Sequence, residues 1–113
     1  MIAARLLLDA HSCIARFEAS GHAGQAKKGG NIVCAAFTVL ARTAYEALAA
    51  LPGIEMTGSA KSPGSLEFAV RRLPPEMVER AAGIADFLQI GLSGLEREFP
   101  GEIGLTIEHY WEE

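Results

Sequence analysis

Apolar and polar residues alternate with a period of two in five short segments and recur at spacings of three and four in two longer ones. Segment 2–8 puts Ile2, Ala4, Leu6 and Leu8 on one face. After an Asp9–Ser12 turn, segment 13–19 puts Cys13, Ala15, Phe17 and Ala19 on one face and Ile14, Arg16 and Glu18 on the other. The pair predicts a hairpin. Residues 21–30 carry four glycines and read as a loop. Asn31 then predicts the cap of a helix running to about Leu51, with Val33, Phe37, Leu40, Ala44 and Leu48 as its buried stripe and Arg42 and Glu46 facing away. Pro52-Gly53 stops it.

Segments 54–58 and 65–71 predict a second hairpin, joined through Ser59–Gly64, with Leu66, Phe68 and Val70 inward and Glu67 and Arg71 outward. Pro74-Pro75 opens a second helix, where proline fits the first turn. Its stripe is Met77, Ala81, Ile84, Leu88, Leu92, Leu95 and Phe99, and Pro100-Gly101 ends it. Segment 103–110 alternates again, Ile103, Leu105 and Ile107 against Thr106, Glu108 and Tyr110. The order is ββαββαβ. Strands with one apolar and one mixed face need cover on one side only, and two singly striped helices supply it. The expected fold is α+β, a two-layer α/β sandwich whose mostly antiparallel five-stranded sheet carries both helices on one face. One domain spanning 1–113 is expected, because domains cluster near ~100–150 residues.

Composition narrows the function classes. Half of the 113 residues are hydrophobic, which excludes a disordered chain. Ten basic against fourteen acidic residues give a net charge of −4, a poor basis for phosphate-backbone binding, so no direct nucleic-acid partner is expected. No uninterrupted apolar run approaches the ~20 residues of a membrane span. Asp9 and His11 interrupt the first apolar stretch too early for a signal peptide. Two cysteines in a chain able to build a core do not suggest a disulfide scaffold. The expectation is a cytoplasmic protein with reduced thiols.

The candidate chemistry lies in Gly21-His22-Ala23-Gly24 and Asn31-Ile32-Val33-Cys34-Ala35-Ala36. With Asn31 as the cap, Cys34 falls in the first helical turn. Orphan backbone N–H groups and the positive helix end favour an anion there, and a thiolate is one. The preceding strand delivers His22 to the same loop. An imidazole beside a helix-start thiol is the minimal equipment for covalent acyl transfer. Small Ala35 and Ala36 leave room, and the glycines permit close backbone approach. The bland alternative is a core cysteine and a turn histidine.

Gly-His-Ala-Gly, a glycine-containing loop and Ile-Val-Cys-Ala-Ala resemble the bacterial ribosomal-processing cysteine proteases, the Prp family. The chain length, the ββαββαβ order and Gly91-Leu92-Ser93-Gly94-Leu95 before Phe99-Pro100 extend the likeness. The resemblance implies a His22–Cys34 dyad and no cofactor or metal. It implies a homodimer that removes the N-terminal extension of large-subunit ribosomal protein number twenty-seven, cutting between Phe and a small residue. It also implies a moving, substrate-gating loop, here Gly21, Gly24, Lys27, Lys28, Gly29 and Gly30. Two supporting positions depart from the family, which usually has Asp where Asn31 stands and Ser where Thr38 stands. Asn caps a helix as well as Asp does, but the negative charge is lost. Thr38 keeps the hydroxyl one turn after Cys34.

Other constellations are weaker. His11, Cys13, His22 and Cys34 do not make a zinc site if 13–20 is a strand, since His11 and His22 then lie about 25–30 Å apart. The same argument opposes a Cys13–Cys34 disulfide, and Cys13 reads as core filler. Lys27-Lys28-Gly29-Gly30 lacks the Gly-Lys-Ser/Thr of a nucleotide loop. The two lysines therefore read as a solvated tip or a contact to an acidic partner. Tyr110 and Trp111 are candidates for a dimer interface. A non-catalytic or weakly catalytic ribosome-associated binding module is the rival to the protease.

Overall fold

Seven elements follow the predicted order in a computed structural model that describes residues 1–21, 32–59 and 65–110. Strands β1 (Ile2–Leu8) and β2 (Ile14–Ser20) are followed by helix α1 (Ile32–Ala49) and strands β3 (Glu55–Ser59) and β4 (Ser65–Arg72). Helix α2 (Val78–Glu98) and strand β5 (Ile103–His109) complete the chain. The sheet order is β3-β4-β2-β1-β5. Three neighbouring pairs are antiparallel, and β5 lies parallel to β1. A parallel neighbour cannot be reached through a hairpin, so β5 needs the long crossover that α2 supplies. Likewise α1 carries the chain from β2 across β4 to β3.

The β1–β2 hairpin turns on Asp9, whose carboxylate accepts the backbone N–H groups of His11 at 2.8 Å and Cys13 at 3.0 Å. Ser12 takes a φ of 62°, a left-handed conformation that this short Asx-type turn holds without glycine. The face assignment of β2 needs one correction. Leu7 pairs with Arg16 but Leu8 pairs with Ile14, so a β-bulge leaves Ala15 without an opposite residue. The slip turns Ile14 into the core beside Cys13, where the strict alternation had set it outside.

The helix-covered face is a continuous core of Ile2, Ala4, Leu6, Leu8, Phe17 and Phe68 beneath Val33, Phe37, Ala44, Leu48, Ala81, Leu88 and Leu92. Each fully buried leucine contributes roughly 1.5–3 kcal/mol. The two helices meet where Leu40 lies against Gly91, whose missing side chain makes the room. Leu40 is therefore half-buried against the second helix rather than seated on the sheet. At 18 residues and a mean hydropathy of 1.4, α1 matches a membrane span in length and composition. Its Val33, Phe37, Ala41, Ala44 and Leu48 are instead buried inside the fold. A 3-10 turn at Pro75–Met77 leads into the second helix, and Pro75 in this first turn forfeits no intrahelical hydrogen bond.

The opposite face is solvated and laced by ions. Arg5 bridges Glu18 at 3.1 Å and Glu108 at 2.6 Å, and Arg16 bridges Glu18 at 3.5 Å and Glu67 at 3.2 Å. The chain of charges crosses β5, β1, β2 and β4. It suits an exposed sheet face, although exposed pairs individually stabilise little. At the outer edge of β5, the Leu105 N–H donates to the Glu96 carboxylate at 2.9 Å, which blunts that edge against pairing.

Cys13 is core filler, as the sequence suggests, and 1% exposed. Its thiol donates to the Val78 carbonyl at 3.4 Å, tying the hairpin to the start of α2. Burial, and then the Asp9 carboxylate, push the thiol up to about 11. As pH rises past the ordinary thiol range, the unfolded chain ionises before the folded one. The contribution is therefore complete below that range and is lost as pH climbs towards the raised value. The stability advantage of wild type over Cys13→Ala should shrink by ~1–2 kcal/mol between about pH 8 and about pH 10.5. Paired thermal melts measure it; a gap that stays constant with pH would contradict the buried-thiol account.

Candidate active site

The position of α1 is set by aromatic packing. Phe37 stacks over Phe17 with ring centroids 6.3 Å apart, Phe17 meets Phe68 at 5.5 Å, and Phe68 meets Tyr45 edge-on at 5.3 Å. The row runs from α1 down to β2, across to β4 and back up to α1. It holds the helix over the centre of the sheet by two rings two turns apart. One turn before Phe37, Cys34 is the third residue of α1. It is half-buried and packs against the core, and neither cysteine is in a disulfide. The first turn of a helix is the positive end of its dipole, which favours an anion there.

Thr38 is exposed one turn later, and its hydroxyl donates to the Cys34 carbonyl at 2.7 Å. This ties the side chain to the backbone of the first turn. The supporting position thus acts on the helix turn that carries the thiol, and its hydroxyl is engaged there.

The last described residue before His22 is Gly21, at the end of β2. Its φ is +101°, and a Cβ there would run into the Met1 carbonyl oxygen. Both facts demand glycine. The sequence reading placed Gly21 in a gating loop. In the structure it is the corner at which the chain leaves β2 beside Met1. The remaining predicted site residues, His22, Gly24, Lys27, Lys28, Gly29, Gly30 and Asn31, lie outside the described residues.

Two shallow depressions of about 370 and 280 Å³ lie on the solvated face of the sheet. They share Arg5 and Glu18 and do not include Cys34. Their arginines are already bridged by carboxylates. The candidate chemistry therefore stays with Cys34. Among the described residues no cluster of histidine, cysteine and carboxylates could hold a metal ion.

Sequence reasoning passed over Tyr45 and Gly58. Tyr45 was left out of the apolar stripe of α1, yet its ring lies so close to Gly58 that a Cβ there would sit 2.9 Å from it. The signal was present, because Cys34, Thr38, Ala41 and Tyr45 recur at spacings of four, three and four and share one stripe of the helix.

Comparison with known proteins agrees with this architecture. The chain resembles the ribosomal processing protease Prp of Staphylococcus aureus in complex with a covalently linked product peptide. The TM-score is 0.80 at 18% identity, over 96% of this chain and 100% of that one. The same protease with a substrate peptide gives 0.75 at 17% identity, over 96% and 100%. A Streptococcus mutans protein gives 0.77 at 21% identity, over 97% and 96%. At such identities these likenesses establish the fold. No curated protein sequence matches the chain. The family model of cysteine protease Prp matches residues 1–104, from the first strand into the last, and the chain belongs to that cysteine protease family.

Proposed function

We propose that this protein is the endopeptidase that removes the N-terminal extension of large-subunit ribosomal protein number twenty-seven, acting in the cytoplasm as a homodimer of single-domain chains. The observation that carries the reading is the family match joined to the position of Cys34, half-buried as the third residue of α1. His22 takes the Cys34 thiol proton as the sulfur attacks the scissile carbonyl. Backbone N–H groups at the start of α1 receive the oxyanion. The C–N bond breaks, and His22 returns its proton to the leaving amine. Water then cleaves the thioester, with His22 again carrying the proton, and releases the carboxylate product and the thiol.

Cys34→Ser is nearly isosteric, so it should abolish turnover of the extension peptide and keep the wild-type melt. His22→Ala should reduce turnover by about 10²-fold or more, the range of a lost acid–base group. Wild-type rates in either variant would remove that residue from the mechanism.

Asn31→Asp tests the departure from the family pattern. A carboxylate caps as well as an amide, so the melt should correspond to a change within about 1 kcal/mol. Its charge favours an imidazolium and orients the ring, while it opposes the thiolate. The effect on His22 should dominate, so turnover should rise. An equal or lower rate across pH, with an unchanged melt, would make residue 31 a helix cap only.

A further inference from the structure

Helix α2 carries a second stripe opposite its buried one. Ala81, Ala85, Leu88, Leu92 and Leu95 are buried. Glu79, Gly83, Phe87, Ile90, Gly94 and Arg97 recur at spacings of three and four on the outer side of the helix layer. Phe87 is 46% exposed and Ile90 71%. Val39 of α1 is 64% exposed. It precedes Leu40 as Ile90 precedes Gly91, so the two side chains flank the outer side of the seam that Leu40 and Gly91 form. A single exposed apolar residue is ordinary, but three large ones side by side across two helices mark an interaction surface.

The glycines belong to this surface. Glycine weakens a helix interior relative to alanine, so each one needs a reason. Leu40 is the reason for Gly91, because a Cβ there would sit 2.9 Å from the leucine side chain. At Gly83 a Cβ would meet nothing within 4 Å among the described residues, and at Gly94 only the Arg97 guanidinium, at 3.7 Å. Packing among the described residues requires neither glycine; a second body laid closely over α2 requires both. The stripe is also self-complementary. Gly83 stands four residues before Phe87, and Gly94 four after Ile90. A two-fold axis midway between Phe87 and Ile90 therefore lays an antiparallel second copy with its Ile90 on Phe87 and its Gly94 by Gly83. Glu79 in the first turn then opposes Arg97 in the last turn of the other copy to within one residue, about 1.5 Å of helix rise. An isologous interface needs such order, since one patch serves both sides.

We propose that the outer face of α2, with Val39 beside it, docks a second copy of this chain, packed antiparallel about a two-fold axis between Phe87 and Ile90. The proposal rests on the homodimer of the proposed function and assigns its interface. Phe87, Ile90 and Val39 supply the apolar centre that association buries. Gly83 and Gly94 let the two helices approach on either side of it. The two Glu79–Arg97 pairs close the ends and set direction and register, as charges flanking a helix seam do.

The test is the dimer Kd of the full chain, measured by sedimentation velocity across a dilution series. Ile90 is exposed in the single chain, so Ile90→Glu should keep the wild-type fold. It should weaken the dimer about a hundredfold or more, because it buries two unpaired carboxylates beside the axis. Glu79→Arg or Arg97→Glu alone opposes like charges at both ends and should weaken the dimer about tenfold at low salt. The double variant Glu79→Arg with Arg97→Glu should return to within about twofold of wild type. An equal mixture of the two single variants should form a dimer tighter than either variant alone, because each then meets its opposite charge. A wild-type dimer that Ile90→Glu leaves intact would overturn this face and leave the homodimer standing. A double variant and a mixture no tighter than the single variants would overturn the antiparallel arrangement and with it the proposal. A wild-type chain that stays monomeric at every concentration would overturn the homodimer and the interface together.

Discussion

The seat of α1 on the sheet is the constraint on which the rest depends. Phe17 is fully buried at the middle of β2, and Phe37 stacks on it from above. Through Phe68 the contact continues to Tyr45, so both halves of α1 are pinned to neighbouring strands. A helix held this way carries Cys34 in its first turn. The thiol owes its place to hydrophobic packing beneath it. The two cysteines show the contrast within one chain. Cys13 is sealed in the core with its thiol pushed up to about 11, while Cys34 sits half-exposed where a helix opens.

Much of the fold was legible because its helices and strands obey their periods. The stripes Val33–Phe37–Ala44–Leu48 and Ala81–Leu88–Leu92–Leu95 appear as core. Strand order was not legible, because alternation along a strand says which face is buried and nothing about its neighbours. The bulge at Ala15 was invisible for a related reason. A residue inserted into one strand changes the register only relative to its partner, and that partner's pairing is not written locally. Leu40 was read only as part of the buried stripe, because a stripe does not distinguish a strand from a second helix beside it. The missing side chain of Gly91 supplies that contact.

The site divides in the same way. Cys34 was singled out by its spacing after Asn31 and Thr38 by the family resemblance, and the structure adds the hydroxyl bond that links them. Gly21 was read as part of a mobile loop, because glycine clusters usually signal freedom. The structure adds that a positive φ and the nearby Met1 carbonyl demand glycine at this corner. Tyr45 escaped notice because its role comes from Gly58, thirteen residues away across a hairpin. The open face of the sheet shows the converse. Arg5, Arg16, Glu18, Glu67 and Glu108 look like a charged binding surface one by one, yet they neutralise each other in a chain across four strands.

The central claim is that the Phe17–Phe37 contact holds the helix start that presents Cys34. The most direct measurement is amide hydrogen exchange across α1 in Phe17→Leu, under conditions where the variant remains folded. The account predicts that protection at residues 36–41 falls well below wild type, while the β1–β5 pairing keeps its protection relative to global stability. A uniform loss across α1, α2 and the sheet, tracking global stability alone, would contradict it.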